Sequence, residues 1–211
     1  MKKIALSASF LILSFAVRSQ LLDIRAYGGI GVVNVADPNS VSTINGLKYD
    51  NTTEVSSVIQ VGVSSTIGRR VFIQPGIFWQ SGTVSTTKTE TFGTKKTFED
   101  QTKLSMITVP IKIGIRLLKY DKLTRTNVRL FGGIDAQFLT AVDQTKESGL
   151  VTVKTEDFAK WTTYGDVGVG VDFLFMFADL GYRLAFNTLY QTGDQSRANI
   201  IYVNAGFKIK L

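Results

Sequence analysis

The sequence contains no cysteine and no histidine, and only three of its 211 residues are proline. Without cysteine there is no disulfide framework, no lipid-anchored N-terminal cysteine and no thiolate metal site. Without histidine the commonest general base of hydrolases is missing, and no Ser-Lys or carboxylate pair stands out in its place. We therefore expect no catalytic site, no cofactor and no metal, and hence a protein that is not an enzyme.

Long apolar runs are also scarce. One lies at the N-terminus, where Lys2 and Lys3 precede the apolar stretch Ile4–Val17 and the sequence Val17-Arg18-Ser19 follows. This order is typical of a secretory signal peptide, and it predicts cleavage after Ser19. A membrane anchor is the alternative, but the stretch is short for a spanning helix. The predicted domains are a signal peptide over 1–19 and one barrel domain over 20–211.

The net charge of +7 is modest, and three of the basic residues lie in the predicted signal peptide. A basic balance can indicate nucleic-acid binding, but no aromatic-basic recognition motif accompanies it here. An exported protein with scattered basic residues is better suited to anionic lipid headgroups. We expect outer-membrane lipids or lipopolysaccharide as partners, together with other outer-membrane or periplasmic proteins, and no nucleic acid.

What the chain has in abundance is strand-forming residues. Val, Ile, Thr, Phe, Tyr and Gly recur throughout, and no stretch keeps a helical period. The pattern predicts an all-β fold of eight strands, over Leu22–Val33, Val55–Ile67, Val71–Val84, Lys103–Leu118, Val128–Ala141, Thr163–Leu174, Phe177–Leu189 and Ala198–Lys210.

The connections between these strands alternate in length. Three long polar ones, over Asn34–Glu54, Ser85–Thr102 and Val142–Thr162, alternate with short links such as Gly68-Arg69-Arg70 and Phe175-Met176. An even strand count with long loops at one end is typical of an eight-stranded antiparallel up-and-down transmembrane β-barrel. Alternation persists through Thr83–Glu90 and Leu150–Glu156, which predicts strands that extend beyond the membrane.

Alternate residues of each strand differ in character. In the fourth strand, the positions from Ile107 to Leu117 in steps of two are aliphatic, whereas Thr108, Lys112 and Arg116 share the other face. A soluble calycin-like barrel would turn the aliphatic face inward, and a membrane barrel would turn it towards lipid. The glycine-rich other face, with charges of both signs, favours the membrane barrel.

The predicted inward face carries ten charged residues, which are Arg25, Lys112, Arg116, Arg129, Asp135, Asp166, Asp172, Asp179, Arg183 and Lys208. They could form an ion path or a solute site, but a barrel of eight strands leaves little more than the room for side chains. We therefore interpret them as a structural network of ion pairs. Pro75 and Pro110 lie within predicted strands, where each removes a hydrogen-bond donor from the ladder.

Aromatic residues concentrate towards predicted strand ends. Trp79, Phe138, Tyr182 and Phe186 are typical of an aromatic girdle at a membrane interface. A sugar-binding platform formed by Trp161 and Tyr164 is a less favoured reading.

Several segments resemble those of a known group. The segment from Phe72 to Gly82 (FIQPGIFWQSG), the segment from Ile107 to Gly114 (ITVPIKIG), Arg129–Gly133, the glycine-alternating Asp166–Phe173 and Tyr202–Lys208 resemble, in order and spacing, small outer-membrane β-barrels of Bacteroidota that include PorT-like and OmpA-like proteins. The resemblance implies an outer-membrane β-barrel domain in the bacterial cell envelope. Similar prolines in the corresponding segments of the group imply that Pro75 and Pro110 are accommodated as tolerated bulges. The chain differs from the group in ending with Leu211 instead of an aromatic residue.

Three functions remain open from the sequence. The barrel could have a structural or adhesive role through its polar outer loops. It could be an accessory subunit of an outer-membrane complex for secretion, gliding, assembly or uptake. It could also be a narrow channel.

Overall fold

The computed structural model describes residues 22–36, 41–44, 47–53, 56–90, 97–118, 126–146, 158–188 and 197–211. The predicted signal peptide and its cleavage site lie outside these ranges. The described residues form ten strands, namely β1 (Leu22–Ala36), β2 (Val41–Ile44), β3 (Leu47–Thr53), β4 (Ser56–Ile67), β5 (Val71–Glu90), β6 (Thr97–Arg116), β7 (Asn127–Lys146), β8 (Trp161–Phe173), β9 (Met176–Ala185) and β10 (Arg197–Lys210). Within those ranges no helix is long and apolar enough to cross a membrane.

Eight of these strands close into a barrel. Each of β4 to β10 pairs antiparallel with its neighbour in the chain, β1 pairs with β4, and β10 returns to pair with β1 from Asp23↔Lys210 to Ala36↔Arg197. The closure leaves no edge strand among these eight, so most backbone groups of the wall find partners within the sheet. The prediction of an eight-stranded antiparallel up-and-down barrel is confirmed.

The strands β2 and β3 are an addition that the sequence analysis did not predict. They form a hairpin inside the predicted loop Asn34–Glu54, and β3 pairs with the distal part of β5 from Tyr49↔Glu90 to Thr53↔Thr86. The strands β5 and β6 continue together to Thr89↔Thr97, so the predicted extension through Thr83–Glu90 is present. The other predicted extension, Leu150–Glu156, lies outside the described residues.

The prolines do not produce bulges, contrary to our prediction. The register between β5 and β6 is the same on both sides of Pro75 and Pro110, with only the pairings between Pro75↔Ile111 and Phe78↔Thr108 interrupted. The missing proline N–H groups therefore cost ladder hydrogen bonds without adding a residue to either strand. Register shifts occur instead between β6 and β7, at Gln101/Thr102 and Ser105/Met106.

Two tight turns lie at the end of the barrel where β1 begins and β10 ends, here called the turn end. The opposite end is called the loop end. The turn from β4 to β5 uses Gly68, whose φ of 123° is a conformation that side-chain-bearing residues rarely adopt. The turn from β8 to β9 is formed by Leu174 and Phe175, one residue earlier than predicted, because Phe173 pairs directly with Met176. Leu174 has a φ of 51°, which is unusual for a bulky residue.

The barrel wall has polar residues on its inner face and apolar residues on its outer face, as a membrane requires. On β9, buried and exposed residues alternate strictly, with Asp179 and Arg183 inside and Leu180 and Leu184 outside. The ten residues of β9 rise about 25 Å along the barrel axis at a tilt of roughly 40°, which matches the apolar band of an outer-membrane barrel. Because the aliphatic face is on the outside, the calycin-like alternative is wrong.

Candidate functional site: the charged barrel interior

The interior of the described barrel is crowded with charged side chains. It holds six cationic side chains, Arg25, Lys112, Arg116, Arg129, Arg183 and Lys208, and five carboxylates, Asp23, Asp135, Asp166, Asp172 and Asp179. All ten residues proposed from the sequence are therefore inside the barrel, and the structure places them in two clusters. The strand period explains this, because each residue has the inward parity of its strand.

The first group, the turn-end cluster, is centred on Asp172. Arg25 donates two hydrogen bonds of 3.1 Å to its carboxylate, Arg129 Nε lies 3.0 Å from Oδ1, and Lys208 Nζ lies 3.3 Å from Oδ2. Arg129 also reaches Asp179, with 2.6 Å between Nη2 and Oδ1. The two parallel hydrogen bonds from Arg25 to Asp172 are the strongest geometry between arginine and a carboxylate.

Asp23 and Arg116 complete the turn-end cluster. Arg116 Nη2 lies 3.0 Å from Asp23 Oδ2, and its other terminal nitrogen donates to the carbonyl oxygens of Gly68 and Arg69 in the β4–β5 turn. The guanidinium therefore ties a turn to the barrel interior. Asp23 was missed from the sequence, although its position two residues before Arg25 gives it the same inward parity.

The second group, the mid-barrel cluster, surrounds Asp166 and Arg183. Lys112 Nζ lies 2.7 Å from Asp166 Oδ2, and the Tyr202 hydroxyl donates to the same carboxylate at 2.9 Å. Arg183 Nε lies 2.9 Å from Asp135 Oδ2 and 3.4 Å from Asp166 Oδ2. The Asp135 carboxylate is fully buried and is held by charge rather than by a well-directed hydrogen bond.

Neutral polar side chains extend the mid-barrel cluster across the lumen. The amide oxygens of Gln60 and Gln80 accept hydrogen bonds from Arg183 Nη1 at 3.1 and 3.3 Å, and Gln60 donates to Asn204. These three residues come from β4, β5 and β10, so the Arg183 network links strands from opposite sides of the barrel. Sequence reasoning missed them because an uncharged amide on an inward position gives no signal of its partner.

Aromatic rings fill the space between the ion pairs. The guanidinium of Arg25 lies 4.8 Å from the Phe177 ring centre, that of Arg183 lies 4.5 Å from Phe78, and Lys112 Nζ lies 4.9 Å from Phe131. Stacking of cations on ring faces is favourable, and more so away from water. Ion pairs and rings together pack the middle of the lumen.

The predicted girdle residues lie on the outer surface. Trp79, Phe138, Tyr182 and Phe186 are each at least one-third exposed, and Trp79, Ile107, Phe138 and Trp161 follow one another across four adjacent strands. Trp161 and Tyr164 do not form a shared platform, because Tyr164 is buried inside the barrel and Trp161 faces outward on the same strand. The sugar-binding reading is therefore wrong.

No group of three or more acidic side chains within the described ranges has the arrangement of a metal site. The carboxylates instead face arginine and lysine, as the ion pairs above show.

A closed barrel of eight antiparallel strands with an aliphatic outer wall and a charged interior defines a small transmembrane β-barrel. A profile of the family described as outer membrane protein beta-barrel domain matches residues 18–191. The chain belongs to this family, and it is a small outer-membrane β-barrel protein.

Solved structures show how far the likeness extends. The outer membrane protein OprG of Pseudomonas aeruginosa is 11% identical with a TM-score of 0.48, over 92% of this chain and 96% of that one. The translocator domain of the autotransporter NalP of Neisseria meningitidis is 10% identical with a TM-score of 0.32, over 98% and 97%. LpxR of Salmonella typhimurium is 11% identical with a TM-score of 0.32, over 89% and 99%. No curated protein matches the chain.

Proposed function

We propose that this protein is a non-conducting, non-enzymatic outer-membrane barrel that acts through its outer loops or as an accessory subunit of an outer-membrane complex. The packing of the interior supports this proposal. Asp172 is held by three cations and Arg183 faces two carboxylates, so the lumen is crossed by side chains that hold one another in place. Opening a path for ions would require buried pairs to separate, which is costly.

Contact with partners is then left to the ends and the outer wall of the barrel. At the loop end, β5, β6 and β7 are each 20 residues long, about twice the length that spans a membrane. The β2–β3 hairpin lies beside this extension. Such a projecting sheet presents polar loops to the surroundings, and the wall below it contacts outer-membrane lipid and lipopolysaccharide.

Planar-bilayer recording tests the closed lumen. We expect purified protein, shown to be folded by its heat-modifiable mobility in gels, to insert without steady conductance. A large, steady conductance in each insertion would contradict the proposal and favour a narrow channel. Brief, irregular openings would leave the lumen closed in its main state.

Affinity purification from native outer membranes tests the interaction role. A variant with residues 37–55 replaced by a short Gly-Ser linker removes the β2–β3 hairpin, and the ladders between the eight barrel strands stay intact. We expect the native chain to recover a defined partner and this variant to recover less of it. Recovery of the barrel alone from gently solubilised membranes would contradict an accessory role.

We also propose that the chain is of the PorT-like type found in Bacteroidota and that it is exported by a signal peptide cleaved after Ser19. The segments around Pro75 and Pro110 support the first point, and the Lys2-Lys3 start followed by Ile4–Val17 supports the second. N-terminal sequencing of the protein from outer membranes tests the cleavage. A mature chain that begins at Gln20 is expected, and an intact Met1 would contradict it.

A further inference from the structure

In the half of the barrel nearer the loop end, the interior side chains are mainly apolar instead of charged. Its buried hydrophobic side chains form one cluster that includes Val33, Val58, Leu104, Ala198 and Ile200. The buried polar side chains beside them, such as Ser56, Thr102 and Gln137, are uncharged. Phe158, just before β8, joins this group, and Met106, Leu139 and Val142 pack against it. Charged pairs therefore fill the lower interior, and an apolar layer fills the upper one.

The apolar layer is not completely filled. A cavity of about 30 Å³ lies within it and is partly open. Its described lining residues carry no charge; most are apolar, among them Val58, Leu104, Met106, Ala198 and Ile200, and Ser56, Gln80, Thr83 and Tyr164 are polar. Its floor is formed by Gln80, which accepts a hydrogen bond from Arg183 at 3.3 Å, so the mid-barrel cluster closes the cavity from below.

The chemistry of this lining decides what can occupy the cavity. A buried water needs two to four polar partners, although the volume would hold a water molecule. The surface that the wall exposes to the cavity is almost wholly apolar, because the polar atoms of Ser56, Gln80, Thr83 and Tyr164 contribute almost nothing to it. The cavity is also far smaller than the roughly 150 Å³ that accepts benzene in a dry protein interior. The occupant must therefore be apolar and narrow. The end of a linear alkyl chain is both, and the rest of such a chain can continue through the open side of the cavity.

We propose that the loop-end cavity is a binding site for the end of a linear alkyl chain, with the rest of the ligand extending towards the loops. The flexible thioether of Met106 lies in the wall and can adjust to the chain. This site is compatible with a lumen that does not conduct, since the floor below it is the mid-barrel cluster. Its ligand would enter and leave from the loop end.

The methionines of the chain provide a sensor and a reference. Besides Met1, the chain contains only Met106, in the cavity wall, and Met176, which is 47% exposed on the outer wall. With ¹³C-methyl methionine in detergent-solubilised protein, 1-hexanol is titrated while both methyl signals are followed by NMR. Met176 reports general partitioning into the detergent, and Met106 reports occupation of the cavity.

We expect the Met106 signal to shift and saturate, and the Met176 signal to drift in proportion to the added alcohol. Cyclohexanol, which has the same number of carbons in a wider ring, should give no saturable shift. A Met106 signal that does not move, or that follows Met176 with both alcohols, would overturn the proposal. This comparison needs no variant, so it stands even if a substitution prevents folding.

A matched pair of substitutions on β10 tests the location. Ala198→Leu fills the cavity, whereas Ala205→Leu adds the same atoms to an exposed position on the outer wall of the same strand. The saturable shift should be lost in the first variant and kept in the second. Equal shifts in both variants would show that the alkyl chain binds elsewhere and would overturn the proposal.

Discussion

The substitution Arg129→Leu tests whether the interior is held by ion pairs. The Arg129 side chain is completely buried and contacts two carboxylates, Asp172 at 3.0 Å and Asp179 at 2.6 Å. Without Arg129, Asp172 keeps Arg25 and Lys208, but Asp179 has no other ion pair among the described residues. Removing one partner of a buried pair costs about 3–5 kcal/mol, and Asp179 makes this the expected loss of unfolding free energy.

Two further variants separate this effect from a general loss of packing. In Lys208→Leu, Asp172 keeps both Arg25 and Arg129, so we expect a loss of about 1 kcal/mol. In the double variant Arg129→Leu/Asp179→Asn, the carboxylate left alone is made neutral, and stability should recover by about 2 kcal/mol.

The measurement is urea unfolding in lipid vesicles, followed by the fluorescence of Trp79 and Trp161. A loss below about 1 kcal/mol for Arg129→Leu would refute the reasoning, because it is smaller than the cost expected for an unpaired buried charge. An equal loss for Lys208→Leu, or no recovery in the double variant, would show that the unpaired Asp179 carboxylate does not cause the loss of unfolding free energy in Arg129→Leu.

Three other predictions concern the wall. On β10, Val203→Arg at the middle of the apolar band should lower the free energy of unfolding in vesicles by about 2–4 kcal/mol. Ile209→Arg near the edge of the band should lower it by about 0–1 kcal/mol. Equal losses would show that the apolar band lies elsewhere along the strand. Gly133→Ala should lower the free energy of unfolding by about 1–3 kcal/mol, because the added Cβ would lie 2.7 Å from Lys112 Cα. Gly28→Ala should be almost neutral, because the nearest atom to its added Cβ is 3.9 Å away. Similar unfolding midpoints for the two variants would contradict this prediction. In single-tryptophan variants, Trp79 and Trp161 should be quenched most by lipids brominated high on the acyl chain, and strongest quenching at the bilayer centre would rule out the girdle.

Much of the fold could be predicted from the sequence because lipid imposes a simple rule. Every second residue of a spanning strand must be apolar, and the row from Ile107 to Leu117 obeys this without exception. The same parity placed Lys112 and Arg116 inside. The rule weakens above the membrane, where both faces meet water, and the β2–β3 hairpin was missed for that reason.

The proline prediction failed for a different reason. A proline in a strand removes one hydrogen bond but does not require an extra residue, and the sequence cannot show which of these outcomes the neighbours permit. In the structure, β6 continues past Pro110 with Asp135 opposite it, so the register survives. The bulges near Ser105 and Gln101 have no proline and no sequence signature.

The sequence by itself determined the eight strands of the barrel, which face of each strand turns inward and that the outer face meets lipid, because these follow from a period of two residues along one strand. Only the tertiary structure decided that Arg129 bridges Asp172 and Asp179, that Asp23 joins Arg116, and that an apolar cavity lies above Gln80. Partners across the lumen depend on the stagger and closure of all eight strands together, and parity along one strand carries no information about them.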